Sequence, residues 1–205
     1  QASMHTQLPA PSFSVRIWNG TPNEFLIKCA ELTRTGVGLP AYYNDEVIIP
    51  ALMSRGVTLA DAREYGIIGC VEPQKPFKTD GWHDAAFFNM CRPLELVFSN
   101  GVDKGAQISI KTGNVEDMTT FEEFYNAYKA QETYMIGLMV NAINAIDTAH
   151  SERVPLPFLS CMVEDCVKEG KTVQEGGAHY NFTGPQGFGI ANMADGLWAV
   201  KTLVF

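Results

Sequence analysis

Three helix-start signatures spaced along the chain constrain its fold more than any other feature. In each, a threonine is followed three residues later by an acidic residue, so that its hydroxyl and the carboxylate can satisfy backbone amides left without partners in the first helical turn. They predict helices over residues 21–36, 58–66 and 120–149. The apolar faces of three such helices must pack against other secondary-structure elements of the fold.

Short apolar runs lie between and around these helices. Residues 14–18, 65–68 and 108–111 are typical of strands, and residues 84–100 predict a further helix that Pro93 should begin or kink. Strands that alternate with helices indicate an α/β fold whose strands are buried.

Composition excludes several classes of partner. The chain has 205 residues, of which 46% are hydrophobic, enough for the core of one domain. A formal net charge of −8 argues against nucleic acid and anionic membranes, because both select clustered Lys and Arg. No run approaches the ~20 apolar residues of a membrane span, and no signal peptide is visible. A cytoplasmic protein is expected.

The cysteines predict neither disulfides nor a metal site. There are five, an odd number, and they are widely spaced in a chain too large to need covalent staples. Cys161 and Cys166 have no second pair nearby, as a zinc site would require. Reduced thiols and no bound metal are therefore expected.

Cys70 and Glu72 form the most informative local pair. They lie two residues apart, between Gly69 and Pro73. In extended backbone, such side chains point to the same side and can address one bound molecule. A buried cysteine beside a surface glutamate is the ordinary alternative. A nucleophilic role fits poorly because the carboxylate opposes thiolate formation, whereas a thiol that carries a hydrogen atom needs no thiolate.

Longer runs around this pair resemble a known family. The sequence GCVEPQKP at residues 69–76, continued by KTDGWHDAAFFN at 78–89, is similar to the thiyl-radical loop of the pyruvate formate-lyase-like glycyl radical enzymes. Residues 44–50 (NDEVIIP) and 174–186 (QEGGAHYNFTGPQ) extend the similarity over essentially the whole chain. It most resembles the coenzyme B12-independent glycerol and propane-1,2-diol dehydratases.

The resemblance implies a radical elimination. In the family, an iron-sulfur activase that uses S-adenosylmethionine installs a glycyl radical, which converts the loop cysteine to a thiyl. By its match, Cys70 would abstract a hydrogen atom from the substrate carbon that bears a hydroxyl, and Glu72 would take the proton of that hydroxyl. Loss of water and return of the hydrogen atom would give an aldehyde from a diol. No cofactor is expected to bind this chain.

Two further residues match positions near the family's substrate. The resemblance implies that Asp84 hydrogen-bonds substrate hydroxyls, although from the residues alone it is equally an N-cap for a helix that begins at Ala85. His83 is a second candidate substrate contact, with packing as its alternative role.

The resemblance also implies a fold and partners. It predicts part of a ten-stranded α/β barrel, with the cysteine loop, about residues 69–84, in its centre. Residues 1–205 would be a central segment, since the family's C-terminal glycyl radical motif (RVSGY or RVAGY) is absent and the apolar run 198–205 has no helix cap. Expected partners are a diol, the activase, the rest of the polypeptide and a second copy in a homodimer. The expected location is the cytoplasm of an anaerobe, or a bacterial microcompartment within it.

Four alternatives bear on substrate and class. Isethionate sulfite-lyases have a similar loop and remain a rival. Choline trimethylamine-lyases carry Thr and Tyr where this chain has His83 and Phe87, which disfavours choline, and Val71 departs from the adjacent cysteines of pyruvate formate-lyase. A non-catalytic fragment or interaction module is the alternative from another class.

Overall fold

The computed structural model describes residues 2–8 and 10–205 of the chain. These residues form two compact units. The first runs up to Gly81 and includes Pro157–Phe182, and the second contains the remaining residues. None of the described helices is long and apolar enough to cross a membrane.

Helices and short strands alternate along the described residues. The helices are α1 (Ala2–Thr6), α2 (Asn23–Thr33), α3 (Asp45–Ser54), α4 (Leu59–Arg63), α5 (Cys91–Phe98), α6 (Phe121–Arg153), α7 (Pro157–Ser160), α8 (Cys166–Glu169) and α9 (Ile190–Leu203). The strands are β1 (Ser14–Ile17), β2 (Ala41–Asn44), β3 (Gly66–Ile68), β4 (Glu72–Gln74), β5 (Thr79–Asp80), β6 (His83–Asn89), β7 (Val102–Asp103), β8 (Ala106–Gln107), β9 (Tyr180–Asn181) and β10 (Gly184–Phe188).

The first unit has its largest buried cluster around three tyrosines, and Cys166, Val173 and Ala178 form a smaller one. Strand β1 pairs in parallel with β2, β5 pairs in parallel with β9, and β3 and β4 form an antiparallel hairpin. Six buried side chains form its main cluster: Tyr43, Leu52, Val57, Ala62, Tyr65 and Tyr180. Ile67 of β3 packs against this cluster, so the hairpin contacts the core through strand β3.

The second unit consists mainly of helices beside one parallel strand pair. Strand β6 pairs with β10, and α5 contacts both α6 and α9. The helices bury an apolar cluster of Leu94, Val97, Phe124, Ala127 and Tyr128. Gln131 of α6 is fully buried and binds Ser109, Thr112 and the carbonyl of Ile110, which ties the preceding loop to the helix.

Two of the three predicted helix starts form as expected. Thr120 and Glu123 make a complete capping box at α6, and the Thr58 hydroxyl accepts the amide of Asp61 at α4. The capping box at Thr21 is wrong: α2 begins at Asn23, and the Thr21 hydroxyl instead accepts the amide of Trp18. A preceding turn competes there for the same oxygen, which is a common alternative for Ser and Thr.

Removal of the α6 cap should loosen only the start of that helix. Thr120→Ala is expected to cost about 1 kcal/mol locally, because the amide of Glu123 loses its side-chain acceptor. Amide exchange in the first turn of α6 should then be about fivefold faster in the full-length protein. Thr133→Ala is the matched control, since its exposed hydroxyl only donates to the Lys129 carbonyl within the helix. Equal exchange in both variants would contradict the cap.

The helix predicted over residues 84–100 is wrong in its first part. Residues 83–89 form strand β6, and the helix is limited to Cys91–Phe98. The backbone hydrogen bonds of β6 go to β10, about a hundred residues later, so a distant partner overrides the local apolar pattern. Asp84 is part of this strand, with φ of +59°, so no helix begins at Ala85 for it to cap.

The predicted strand at residues 108–111 is also wrong. The amides of Ile108 and Ser109 both donate to the Gly101 carbonyl, which closes a loop instead of a ladder. The strands predicted at 14–18 and 65–68 are confirmed as β1 and β3. The α/β fold is therefore confirmed, and the ten-stranded barrel stays a prediction.

Candidate active site at the Cys70 loop

Cys70 lies at the tip of the β3–β4 hairpin. The strands pair from Gly66 opposite Gln74 to Ile68 opposite Glu72, which leaves a three-residue connection. Its first residue, Gly69, has φ of +58°, a left-handed conformation that glycine adopts without the steric cost of a Cβ atom. Cys70 is the middle residue of this turn and is exposed.

The carboxylate of Glu72 folds back over this turn. Its Oε2 atom accepts the amide of Cys70 at 3.0 Å and the amide of Val71 at 2.9 Å. A Cβ atom added at Gly69 would lie 2.7 Å from the same oxygen. Glycine at position 69 therefore suits both the backbone turn and the space that the carboxylate occupies.

This geometry corrects the expected arrangement of the pair. Cys70 lies in a tight turn and not in extended backbone, so side-chain alternation does not relate it to Glu72. The two residues are joined instead by the hydrogen bond from the Cys70 amide to the Glu72 carboxylate. That the Cys70 thiol and the Glu72 carboxylate can address one bound molecule stays a prediction.

The main chain of Cys70 has a second anchor that the motif does not contain. The hydroxyl of Tyr43, on β2, donates to the Cys70 carbonyl at 2.9 Å. Tyr43 is buried in the core of the first unit, with only 7% of its surface exposed. Nothing local predicts this contact, since 27 residues separate the two partners.

The thiol of Cys70 is exposed and is not in a disulfide. Cys161 is also exposed, Cys91 is partly buried, and Cys29 and Cys166 are buried. Burial raises the pKa of the Cys166 thiol, so that cysteine is suited to packing and not to reaction. Within the described ranges, no group of three or more His, Cys, Asp or Glu side chains is arranged to hold a metal ion.

Asp84 and His83 belong to the second unit, on strand β6. The side-chain amide of Gln186, on β10, donates to Oδ1 of Asp84. The register of the β6–β10 pair shifts between Gly184 and Pro185, and His83 is opposite Gly184. Gln186 is a partner that the sequence reasoning missed, although it lies in the run at 174–186 that carries the family resemblance.

Comparison with known proteins gives matches along the full chain. A family model described as pyruvate formate lyase-like matches residues 1–205. A solved structure concerning 1,2-propanediol dehydration in Roseburia inulinivorans is 67% identical, with a TM-score of 0.92, and covers 100% of this chain. The glycerol-bound form of the B12-independent glycerol dehydratase from Clostridium butyricum is 64% identical, with a TM-score of 0.93 and the same coverage.

A curated relative extends the comparison to another substrate. The (2S)-3-sulfopropanediol dehydratase of Klebsiella oxytoca is 39% identical over 207 residues, which covers 100% of this chain and 25% of the relative. Both solved structures are likewise covered over 26% of their length. The chain therefore spans about a quarter of the proteins that it matches.

Proposed function

The chain belongs to the pyruvate formate lyase-like family, and on that premise we propose that it is the cysteine-bearing segment of a glycyl radical dehydratase. The proposed reaction converts a 1,2-diol, such as glycerol or propane-1,2-diol, to an aldehyde and water. One observation carries the proposal: a tight hairpin turn presents the exposed thiol of Cys70 while the Glu72 carboxylate is bound to the Cys70 amide. The identities of 67% and 64% to two structures concerned with diol dehydration support the substrate class.

Cys70 is the proposed hydrogen-atom carrier. The glycyl radical of the full-length protein supplies the oxidising equivalent that converts its S–H to a thiyl. Cys70 then takes a hydrogen atom from the substrate carbon that bears the first hydroxyl. After water has left, the same S–H returns a hydrogen atom to the adjacent carbon. The thiyl is regenerated, and the net change is diol to aldehyde plus water.

Glu72 is the proposed base. It takes the proton of the first hydroxyl once that carbon has become a radical, which makes the carbon a better electron donor and drives out the neighbouring hydroxyl group. That group leaves as water with the proton that Glu72 releases. A carboxylate offers about four acceptor positions, so the two amide hydrogen bonds at Oε2 do not use up its capacity.

Further elements of the proposal rest on the motif match. Asp84, held by Gln186, and His83 are proposed to hydrogen-bond substrate hydroxyls. The ten-stranded barrel, the activase, the glycyl radical loop and the homodimer are proposals for a protein of the relatives' length, about a quarter of which this chain covers.

Anaerobic product analysis of the activated full-length protein tests the substrate class. Propane-1,2-diol, glycerol, 3-sulfopropane-1,2-diol, isethionate and choline are offered separately, with unactivated protein as the control. Aldehyde from propane-1,2-diol or glycerol, with kcat/KM at least about tenfold above that for the other substrates, is expected. Sulfite from isethionate would instead make the protein a carbon-sulfur lyase. No product from any substrate, despite a glycyl radical seen by electron paramagnetic resonance, would favour a non-catalytic module.

Gly69→Ala should separate turn geometry from overall stability. The added Cβ would displace the Glu72 carboxylate, whose end is flexible, so the fold should survive while the reacting groups are misaligned. A displacement of about 1 Å is expected to lower kcat by about 10²-fold. Gly36→Ala is the control, because Gly36 also has positive φ, at +79°, but nothing lies within 4 Å of its added Cβ. Similar activity losses in both variants would contradict this account.

A further inference from the structure

Both main-chain polar atoms of Cys70 are held by other residues of the first unit. Its N–H donates to Glu72 at 3.0 Å, and its C=O accepts the hydroxyl of Tyr43 at 2.9 Å. We refer to these two hydrogen bonds as the Cys70 clamp. Together they restrict rotation of the peptide groups on either side of the cysteine.

The two sides of the clamp differ in rigidity. Glu72 is in the hairpin itself and moves with it, whereas Tyr43 is in the parallel β1–β2 pair, opposite Arg16. The Tyr43 ring is packed in the buried cluster that includes Tyr65 and Tyr180. A tyrosine has only two side-chain torsions, so packing of the ring determines where its hydroxyl lies. The tyrosine side therefore connects the turn to the core of the unit.

The Tyr43 hydroxyl is suited to act as a constant donor. Burial raises the pKa of the Tyr43 phenol, and electrostatic interaction with Glu72 and with the Cys70 side chain raises it further, whereas a hydrogen bond with Ser14 opposes these effects. A raised pKa favours the neutral phenol, so the O–H remains available as a donor throughout the neutral pH range.

We propose that Tyr43 is a positioning residue for hydrogen-atom transfer by Cys70. The inference rests on the proposed function and adds a residue that lies outside the loop motif. By holding the Cys70 carbonyl, Tyr43 sets the direction of the Cα–Cβ bond and hence the approach of the sulfur to the substrate carbon. Reacting atoms must come within about 3–3.5 Å, and small errors in position are costly.

The proposed chemistry gives the second anchor a role between the two hydrogen-atom transfers. Glu72 holds a proton from the time it deprotonates the substrate hydroxyl until water leaves, and a neutral carboxyl group is a weaker acceptor than a carboxylate for the amides of Cys70 and Val71. Its side of the clamp is therefore weaker in this interval and is restored before Cys70 returns the hydrogen atom. Tyr43 does not change protonation, so it keeps Cys70 in place over the interval between the two transfers.

The test uses the activated full-length protein with Tyr43→Phe, which removes the hydroxyl but keeps the ring in the core. Tyr42→Phe is the matched control: its hydroxyl is on the same strand but is paired with the Thr33 hydroxyl at 2.7 Å. Rates are normalised to glycyl radical content, measured by electron paramagnetic resonance. We expect kcat of Tyr43→Phe to fall about 10- to 100-fold with KM changed less than about threefold. Tyr42→Phe should remain within about twofold of wild type.

An isotope effect separates positioning from general support of the fold. With propane-1,2-diol deuterated at carbon 1, Tyr43→Phe should show a larger deuterium effect on kcat than wild type, because hydrogen-atom transfer becomes slower relative to product release. An unchanged isotope effect, or a wild-type kcat, would overturn the role of Tyr43. A rate loss matched by Tyr42→Phe would do the same.

Failure of the underlying function is recognised separately. The same assay includes wild-type protein and Cys70→Ala. If wild type forms no aldehyde from a diol, or if Cys70→Ala still forms it, the proposed function fails and this inference fails with it. If those two behave as expected and Tyr43→Phe matches wild type, only the positioning role is lost.

Discussion

Replacement of Cys70 by alanine should reduce aldehyde formation by the activated full-length protein to below detection. No other group of the Cys70 loop can accept and return a hydrogen atom in the proposed reaction. The fold should be unaffected, because the cysteine side chain is exposed and its loss removes little packing. Substitutions of this kind usually change the free energy of unfolding by less than about 0.5 kcal/mol. Gas chromatography of the aldehyde, with thermal unfolding in parallel, measures both effects.

A second exposed thiol in the same unit provides the control. Cys161→Ala removes the same atoms from a comparably accessible position, and its turnover should equal that of wild type. Cys70→Ser should be as inactive as Cys70→Ala, because an alcohol O–H bond is much stronger than a thiol S–H bond and resists homolysis. Residual turnover of a few per cent in either Cys70 variant would exclude Cys70 as the hydrogen-atom carrier.

Glu72→Gln should lower kcat by about 10²- to 10⁴-fold, the range typical for loss of a general base. The glutamine side chain still has a carbonyl oxygen that can accept the amides of Cys70 and Val71, so the turn should keep its shape. What is lost is the ability to take a proton from the substrate hydroxyl. Steady-state kinetics at equal glycyl radical content measures the effect.

Two companion variants separate the base from the structural contact. Glu72→Ala removes both the proton acceptor and the hydrogen bonds to the turn, so its loss should equal or exceed that of Glu72→Gln. Glu64→Gln is the control, since Glu64 is an exposed glutamate that pairs with Lys75 at 2.5 Å. If Glu72→Gln kept wild-type kcat while Glu72→Ala lost it, Glu72 would only hold the turn.

Helix starts were predictable where the contact that makes them is local. The hydroxyls of Thr58 and Thr120 accept amides three residues later, and the residues involved are all visible in one short window. Thr21 has the same pattern, but its hydroxyl accepts the amide of Trp18 instead. A helix cap and a preceding turn can each use the same hydroxyl oxygen as acceptor, and the sequence pattern does not show which of the two hydrogen bonds will form.

Residues 83–89 show the opposite case. Their apolar content is compatible with helix or strand, and they become a strand because β10 supplies the hydrogen-bonding partner. The same pairing brings Gln186 to Asp84, across 102 residues of chain. Short apolar runs are ambiguous for this reason: the deciding partner lies outside any local window.

The candidate site also combines features that a short stretch of sequence reveals with contacts that only the folded chain creates. Sequence motifs were sufficient to identify Cys70 and Glu72 as a pair and to recognise the family, because a motif retains the order of its residues whatever their conformation. The folded-back carboxylate of Glu72 and the hydroxyl of Tyr43 on the Cys70 carbonyl became apparent only from the folded chain. Both depend on backbone torsions and core packing, which bring together groups that the linear order keeps apart.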